Sequence, residues 1–230
     1  MTSATQTAYE LLKQRVVAGS YAPGAQLKEE HIARELGLSR TPVRAALKRL
    51  AGDGLATLDA RRGVRVAEWT DADILETYRL RSLLEAHAAQ RAAERGDAAA
   101  VAALEGLNRD MAAAMVKGGP RMVLSLQAIN SRFHRTILDA SGSPRLKLLL
   151  STIVDMPIVV RSFFVSTAAD LQQSLQHHRD ITAAIASGDG EVAAQAMQLH
   201  LRIAERRFFE RRAEIAAARG AAAPRPGAKA

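Results

Sequence analysis

Cysteine is absent from the 230 residues. Disulfides and thiolate metal sites are therefore excluded, and any metal must be held by imidazole, carboxylate or amide groups. Aromatic residues make up only 4% of a chain that is 48% hydrophobic. A core must then be built mainly from Ala, Leu, Val and Ile, which favours helices because Ala and Leu lose little side-chain entropy in them. No apolar run reaches the roughly 18 residues of a membrane span. The opening Met1-Thr2-Ser3-Ala4 also lacks the basic and apolar regions of a signal peptide. These absences predict a cytoplasmic protein without membrane association, and the length suits a small module joined to a larger one.

What is present is positive charge, formally +8. That balance points to a polyanionic partner without separating nucleic acid from acidic membrane. Between Ser39 and Leu50 lie Arg40, Arg44, Lys48 and Arg49 with no acid. A second cluster, Arg202, Arg206, Arg207, Arg211 and Arg212, is mixed with Glu205, Glu210 and Glu214 and reads as a solvated helix face.

Along the chain, Ala8, Leu11, Leu12 and Val16 keep a helical period over 5–18. A short helix follows from about Lys28 to Leu36, with Ile32 and Leu36 inward, and Gly37 is placed to close it in the left-handed conformation. Ser39 stands where an N-cap belongs, and Pro42 falls in the first turn of a helix from about Thr41 to Ala51. Gly52-Asp53-Gly54 stops that helix. Leu55–Leu58 and Val64–Val66 then read as two short strands around a basic turn. This order predicts a winged helix-turn-helix over 1–69. From 70 to 218 the texture is all-helical, with helices expected at 71–95, 98–116, 121–140, 144–162, 168–187 and 189–216, broken at Gly96, Gly118-Gly119-Pro120, Gly142-Ser143-Pro144 and Gly188-Asp189-Gly190. The Ala-, Pro- and Gly-rich stretch 219–230 reads as a disordered tail. The fold class is mainly α.

In a helix-turn-helix the second helix enters the major groove, so Arg40, Arg44 and Lys48 at i+4 spacing would face DNA. An arginine fork binds guanine O6 and N7 together, while Ser39 and Thr41 are placed for phosphate. Arg62 and Gly63 tip the hairpin. Gly63 either lets the backbone approach a groove closely or is an ordinary turn residue. An isolated basic amphipathic helix would be a solvated face; the capped helix, glycine turn and basic hairpin in this order favour DNA.

The stretches Tyr21-Ala-Pro-Gly-Ala-Gln-Leu, Leu36-Gly-Leu-Ser-Arg-Thr-Pro-Val-Arg-Ala-Ala-Leu-Lys-Arg-Leu, Gly54-Leu and Arg62-Gly63-Val resemble the GntR family. The resemblance implies base-reading roles for Arg40 and Arg44. Leu38 and Ala45 depart from the family's usual Val and Glu, and Glu30 stands where some members carry another DNA-contacting arginine.

Helical phase sorts the six histidines. Asn130 and His134 border the stripe Leu126, Ile129, Phe133 and Ile137. His178 lies within Leu171, Leu175, Thr182 and Ile185, and His200 is on a helix expected to bury Val192, Ala196 and Ile203. Three inward imidazoles on three helices suit a divalent ion, or each is a hydrogen-bonded core residue. His31, His87 and His177 lack the pattern and read as surface or packing residues.

Residues 70–216 resemble the all-helical FCD domain of the FadR group, through Asp73-Ile-Leu-Glu-Thr-Tyr-Arg-Leu-Arg-Ser-Leu-Leu-Glu, Asn130-Ser-Arg-Phe-His-Arg-Thr-Ile-Leu, His178-Arg-Asp-Ile-Thr-Ala-Ala-Ile-Ala-Ser-Gly-Asp and Met197-Gln-Leu-His. A six-helix count resembles its VanR-like subgroup. The resemblance implies one divalent ion per chain, zinc first with nickel or manganese as alternatives, on Asn130, His134, His178 and His200. Asn130 stands where Asp is common. A small organic acid is the implied effector, with Arg81 pairing its carboxylate; the other readings of Arg81 are a surface pair with Glu85 at i+4 or a contact with Trp69 or the DNA domain.

The expected function is a homodimeric, sequence-specific regulator, a repressor first, acting on a short palindromic operator in double-stranded DNA. A metal hydrolase is the rival class, yet no carboxylate is evident as a general base beside the histidines, Asp139 and Asp155 being near only in sequence. A nonspecific DNA-binding protein is the other rival, separable by base discrimination.

Overall fold

The computed structural model describes residues 3–17, 20–59, 63–119, 122–151 and 166–222. Arg61, Arg62, Pro120, Arg121, residues 152–165, which take in the far end of the expected 144–162 helix, and residues 223–230 of the expected tail lie outside them.

The elements run α1 (Ala4–Val17), α2 (Glu29–Leu36), α3 (Arg40–Gly52), β1 (Ala56–Asp59), β2 (Gly63–Val66), α4 (Asp71–Arg95), α5 (Ala98–Lys117), α6 (Met122–Ala140), α7 (Pro144–Ser151), α8 (Ala168–Ala186) and α9 (Gly190–Ala222). The expected mainly α class, with a winged helix-turn-helix followed by helices, is what forms. One boundary moves: α9 continues through Ala222, so 219–222 belong to a helix rather than a disordered tail. Alanine's high helix propensity carries the last turns past Arg219.

By compactness, the described residues up to Thr77 group with α7, and Tyr78–Ser143 group with residues from Ser166 onward. In the first unit α1 and α2 pack on α3 and α3 on β1, around Leu12, Val16, Ile32, Val43, Leu47, Leu50 and Val66. Gly37 ends α2 at φ 65° and ψ 28°, its N–H reaching back to the last carbonyls. That left-handed turn strains a residue with a Cβ. β1 and β2 pair antiparallel, with Ala56 opposite Val66 and Asp59 opposite Gly63. Residues 24–27 run along β2 through Gly24 N–H to Val66 O, Val66 N–H to Ala25 O and Leu27 N–H to Val64 O.

In the second unit α5 packs on α6 and α8, and α8 on α9. Side-chain caps start the helices. Asp97 accepts from Ala99 and Ala100 N–H at the head of α5, and Thr167 with Asp170 forms a reciprocal capping box on α8. Asp170 also receives Arg207 and Arg211 from α9. Those two arginines are therefore tied down rather than part of a wholly solvated face, whereas Arg206 remains exposed.

Candidate DNA-reading surface and metal centre

α3 separates its residues by phase. Val43, Ala46, Leu47 and Leu50 are buried, while Arg40, Thr41, Arg44 and Lys48 are exposed, as a 3.6-residue period requires. Ser39 takes the N-cap position with extended backbone, but its side chain makes no capping hydrogen bond. Pro42, at the third helical position, has no N–H and so removes one of the two donors, at the second and third positions, that a cap oxygen can accept from. The Ser39 hydroxyl is left on the exposed surface. Gly63 opens β2, exposed, at φ 75°; Arg62 lies outside the described residues.

Glu29, the first residue of α2, enters this surface unanticipated. Arg44 Nε donates to both of its carboxylate oxygens at 3.0 Å, Arg44 Nη2 lies 2.9 Å from Oε2, and Arg40 Nη2 stands 3.8 Å away. The Arg44 hydrogen bond holds the Glu29 carboxyl below its usual range against the opposing effect of burial, with the charges of Arg44, Arg40 and Lys48 acting the same way. The signal in the sequence was an acid opening the helix that precedes a basic one.

Three expected metal residues converge. His134 on α6, His178 on α8 and His200 on α9 are all buried, each with a ligand nitrogen within 4.8 Å of the others'. His134 Nε2, His178 Nε2 and His200 Nδ1 are buried without a hydrogen-bond partner. Unpaired buried polar atoms are costly and call for an occupant or a role. Burial first, then neighbouring imidazoles, pushes His178 and His200 well below the usual histidine range, so both rings are neutral and able to donate lone pairs. Phe133 lies flat on His178, with ring centroids 3.9 Å apart and planes parallel. Asn130 is buried one turn before His134 on the same face of α6.

Glu85 orients the cluster. Its Oε2 is 2.5 Å from His134 Nδ1 and its Oε1 2.6 Å from Arg81 Nε. Burial raises the Glu85 carboxyl, but the charges and hydrogen bonds of Arg81 and His134 outweigh it and bring it to about 2. An ionised carboxylate only accepts, so His134 Nδ1 is the donor in this contact, and Nε2 is the ring nitrogen that faces no hydrogen-bond partner.

Arg81 thus pairs with Glu85 as the i+4 alternative has it, but not at the surface: the side chains are 2% and 4% exposed. The stripe Ile74, Tyr78, Ala88, Ala89 and Ala92, all buried, has the period that places 81 and 85 inside. The expectation that no carboxylate stands beside the histidines is corrected by Glu85, although both its oxygens are engaged. Asp139 is exposed, and Asp155 lies outside the described residues.

His31 and His87 are exposed. His177 is buried, its ring 5.8 Å from that of His200. On α9 the expected burial of Val192 is overturned: Val192 and Leu199 are about half exposed, and Ala193, Met197, His200 and Leu201 are buried. In an alanine-rich helix, small residues pack closely on neighbours, so the bulkiest aliphatics do not mark the inner face.

The sequence model described as bacterial regulatory proteins, gntR family, matches residues 4–66, and that of the FCD domain matches 76–203. The chain is 28% identical over 192 residues to the uncharacterized HTH-type transcriptional regulator YdhC of Bacillus subtilis, covering 84% of this chain and 85% of that one. It is 28% identical over 203 residues to a probable D-xylose utilization operon transcriptional repressor of Paenarthrobacter nicotinovorans, covering 87% and 86%. Among solved structures, Escherichia coli McbR/YncC aligns with a TM-score of 0.71 at 24% identity, over 91% of this chain and 99% of that one, a likeness of fold.

Proposed function

The chain belongs to the bacterial gntR family, as a DNA-binding transcriptional regulator with an FCD domain and not an enzyme, and from that premise we propose that it is a repressor relieved or reinforced by a small organic acid. The observation that carries the effector side is the convergence of three buried imidazoles, each with a ligand nitrogen within 4.8 Å of the others' and each with a ring nitrogen that has no hydrogen-bond partner.

Those nitrogens fit a divalent ion. Nitrogen donors this close together on three packed helices, buried and without other partners, are of the chemistry that zinc-like ions accept. His134, His178 and His200 would hold it, with Asn130 as the further ligand; zinc comes first, nickel and manganese being acceptable to the same donors. When bound, the ion supplies a positive, coordinatively open centre for a carboxylate. Glu85 fixes the His134 tautomer, Phe133 sets the His178 plane, and the Arg81 N–H groups not engaged by Glu85 serve the acid's second oxygen. The FCD match over 76–203 supports this assignment of the effector site.

On the DNA side Arg40 and Arg44 read base edges, Ser39, Thr41 and Lys48 contact phosphate, and the wing contributes through Arg62 and Gly63. Two copies bind a short palindrome, since one recognition helix reads too few base pairs. The division of labour is a DNA-binding domain over 1–69 and an effector domain beyond it, working in the cytoplasm. The relative named as a D-xylose operon repressor supports the repressor sense.

Two measurements test this. Elemental analysis of protein purified without chelator should find about one divalent ion per chain, reduced by His134→Ala; metal-free protein retires the centre. Selection from a random duplex pool should return a two-fold symmetric site, and a set of unrelated sequences retires the operator reading.

A further inference from the structure

Glu29 occupies one specific edge of Arg44. It takes Nε and Nη2 and leaves the end-on pair, Nη1 with the outer N–H of Nη2, pointing away from the carboxylate. That end-on edge is a two-donor fork of the kind guanine O6 and N7 accept. The carboxylate is well suited to hold: it starts α2, where the helix dipole favours an anion, and its side chain is 24% exposed against 56% for Arg44. Arg40 shares it at 3.8 Å.

We propose that Glu29 is a specificity-determining positioning residue, which holds Arg44 in the orientation that reads a base and withholds it from phosphate. This rests on the base-reading role of Arg44. An untethered arginine on an exposed helix swings to the nearest phosphate, a contact that adds affinity on any duplex and carries no sequence information. The carboxylate therefore trades nonspecific affinity for discrimination.

The test uses the full-length protein and two duplexes, one selected from a random pool by the parent and one scrambled, with binding followed by fluorescence anisotropy over a salt series. Arg44→Ala checks the underlying reading: it lowers the ratio of selected to scrambled affinity, and an unchanged ratio defeats base reading by Arg44 whatever Glu29 does. Glu29→Gln keeps size and removes the charge. Its ratio should fall about tenfold, while scrambled-duplex affinity rises and its log–log salt slope steepens by about 0.9, one added phosphate contact. Glu29→Asp keeps the charge but withdraws the carboxylate by one methylene, and should lower the ratio as Gln does. Equal gains on both duplexes with Gln would make Glu29 a mere source of repulsion and overturn the proposal. So would no change with Gln, or parental behaviour with Asp. Circular dichroism melts confirm that both variants are folded.

Discussion

The winged helix-turn-helix and the helical domain solve opposite problems with charge. In the first, among the described residues, the core is aliphatic apart from Tyr9, and Arg40, Arg44 and their partner Glu29 lie at the surface. In the second, Arg81, Glu85, Asn108, Asn130, His134, His177, His178, Thr182 and His200 are buried. Chemistry that must meet a polyanion stays in water, where ion pairs are weak and exchangeable. Chemistry that must hold a small ligand is moved inside, where each polar group needs a partner and the loss of one is expensive. A surface contact is thus easily remade, and a buried polar cluster is not.

Glu85→Ala should break that contrast most severely. It strands the Arg81 guanidinium and leaves His134 Nδ1–H without an acceptor, for a loss of about 3–5 kcal/mol, read by urea unfolding of chelator-treated protein. Arg44→Ala is its counterpart on the exterior. It should leave unfolding within about 0.5 kcal/mol yet remove about 1–3 kcal/mol of base discrimination, measured as the ratio of affinities for selected and scrambled duplexes.

Acid sharpens the comparison. Asp170, beside Thr167, Arg207 and Arg211, has its carboxyl lowered from 3.8 to about 2, the hydrogen bonds of Thr167 and Arg211 overcoming burial. A carboxyl lowered in the folded state contributes stability above its unfolded value and loses it as pH falls through the folded one. The parent should therefore lose about 1–2 kcal/mol between pH 4 and 2 that Asp170→Asn does not lose, seen as converging stabilities across that window. Gly37→Ala is the smallest change. Nothing lies within 4 Å of an added Cβ, so only the left-handed backbone is penalised, by about 1 kcal/mol, in thermal melts.

The same contrast explains what the sequence made legible. Local rules govern the first region: Gly37 closes α2, the buried face of α3 repeats every three or four residues, and helix boundaries follow to within a residue or two. Two of those rules also collide there, since Pro42 in the first turn removes one of the amides that could cap onto Ser39. In the helical domain the three histidines were readable because their helices carry large apolar neighbours. Glu85 was not, because an i+4 Arg–Glu pair looks the same on either side of a helix until its neighbours are known. The face of α9 was misjudged by one residue for lack of contrast among alanines. Glu29 needed the packing of α2 on α3, which no spacing within one helix reveals.

The parallel contact of His178 with Phe133 has a mechanical consequence. Phe133 is 0% exposed, so the imidazole cannot spin about its own axis without wedging a benzene ring into a packed interior. The ring plane of His178 is thus set by a hydrocarbon. For the proposed metal centre this would mean that an ion whose preferred angles disagree must work against the interior itself, so that selectivity among similar cations would be in part a property of the oil around them.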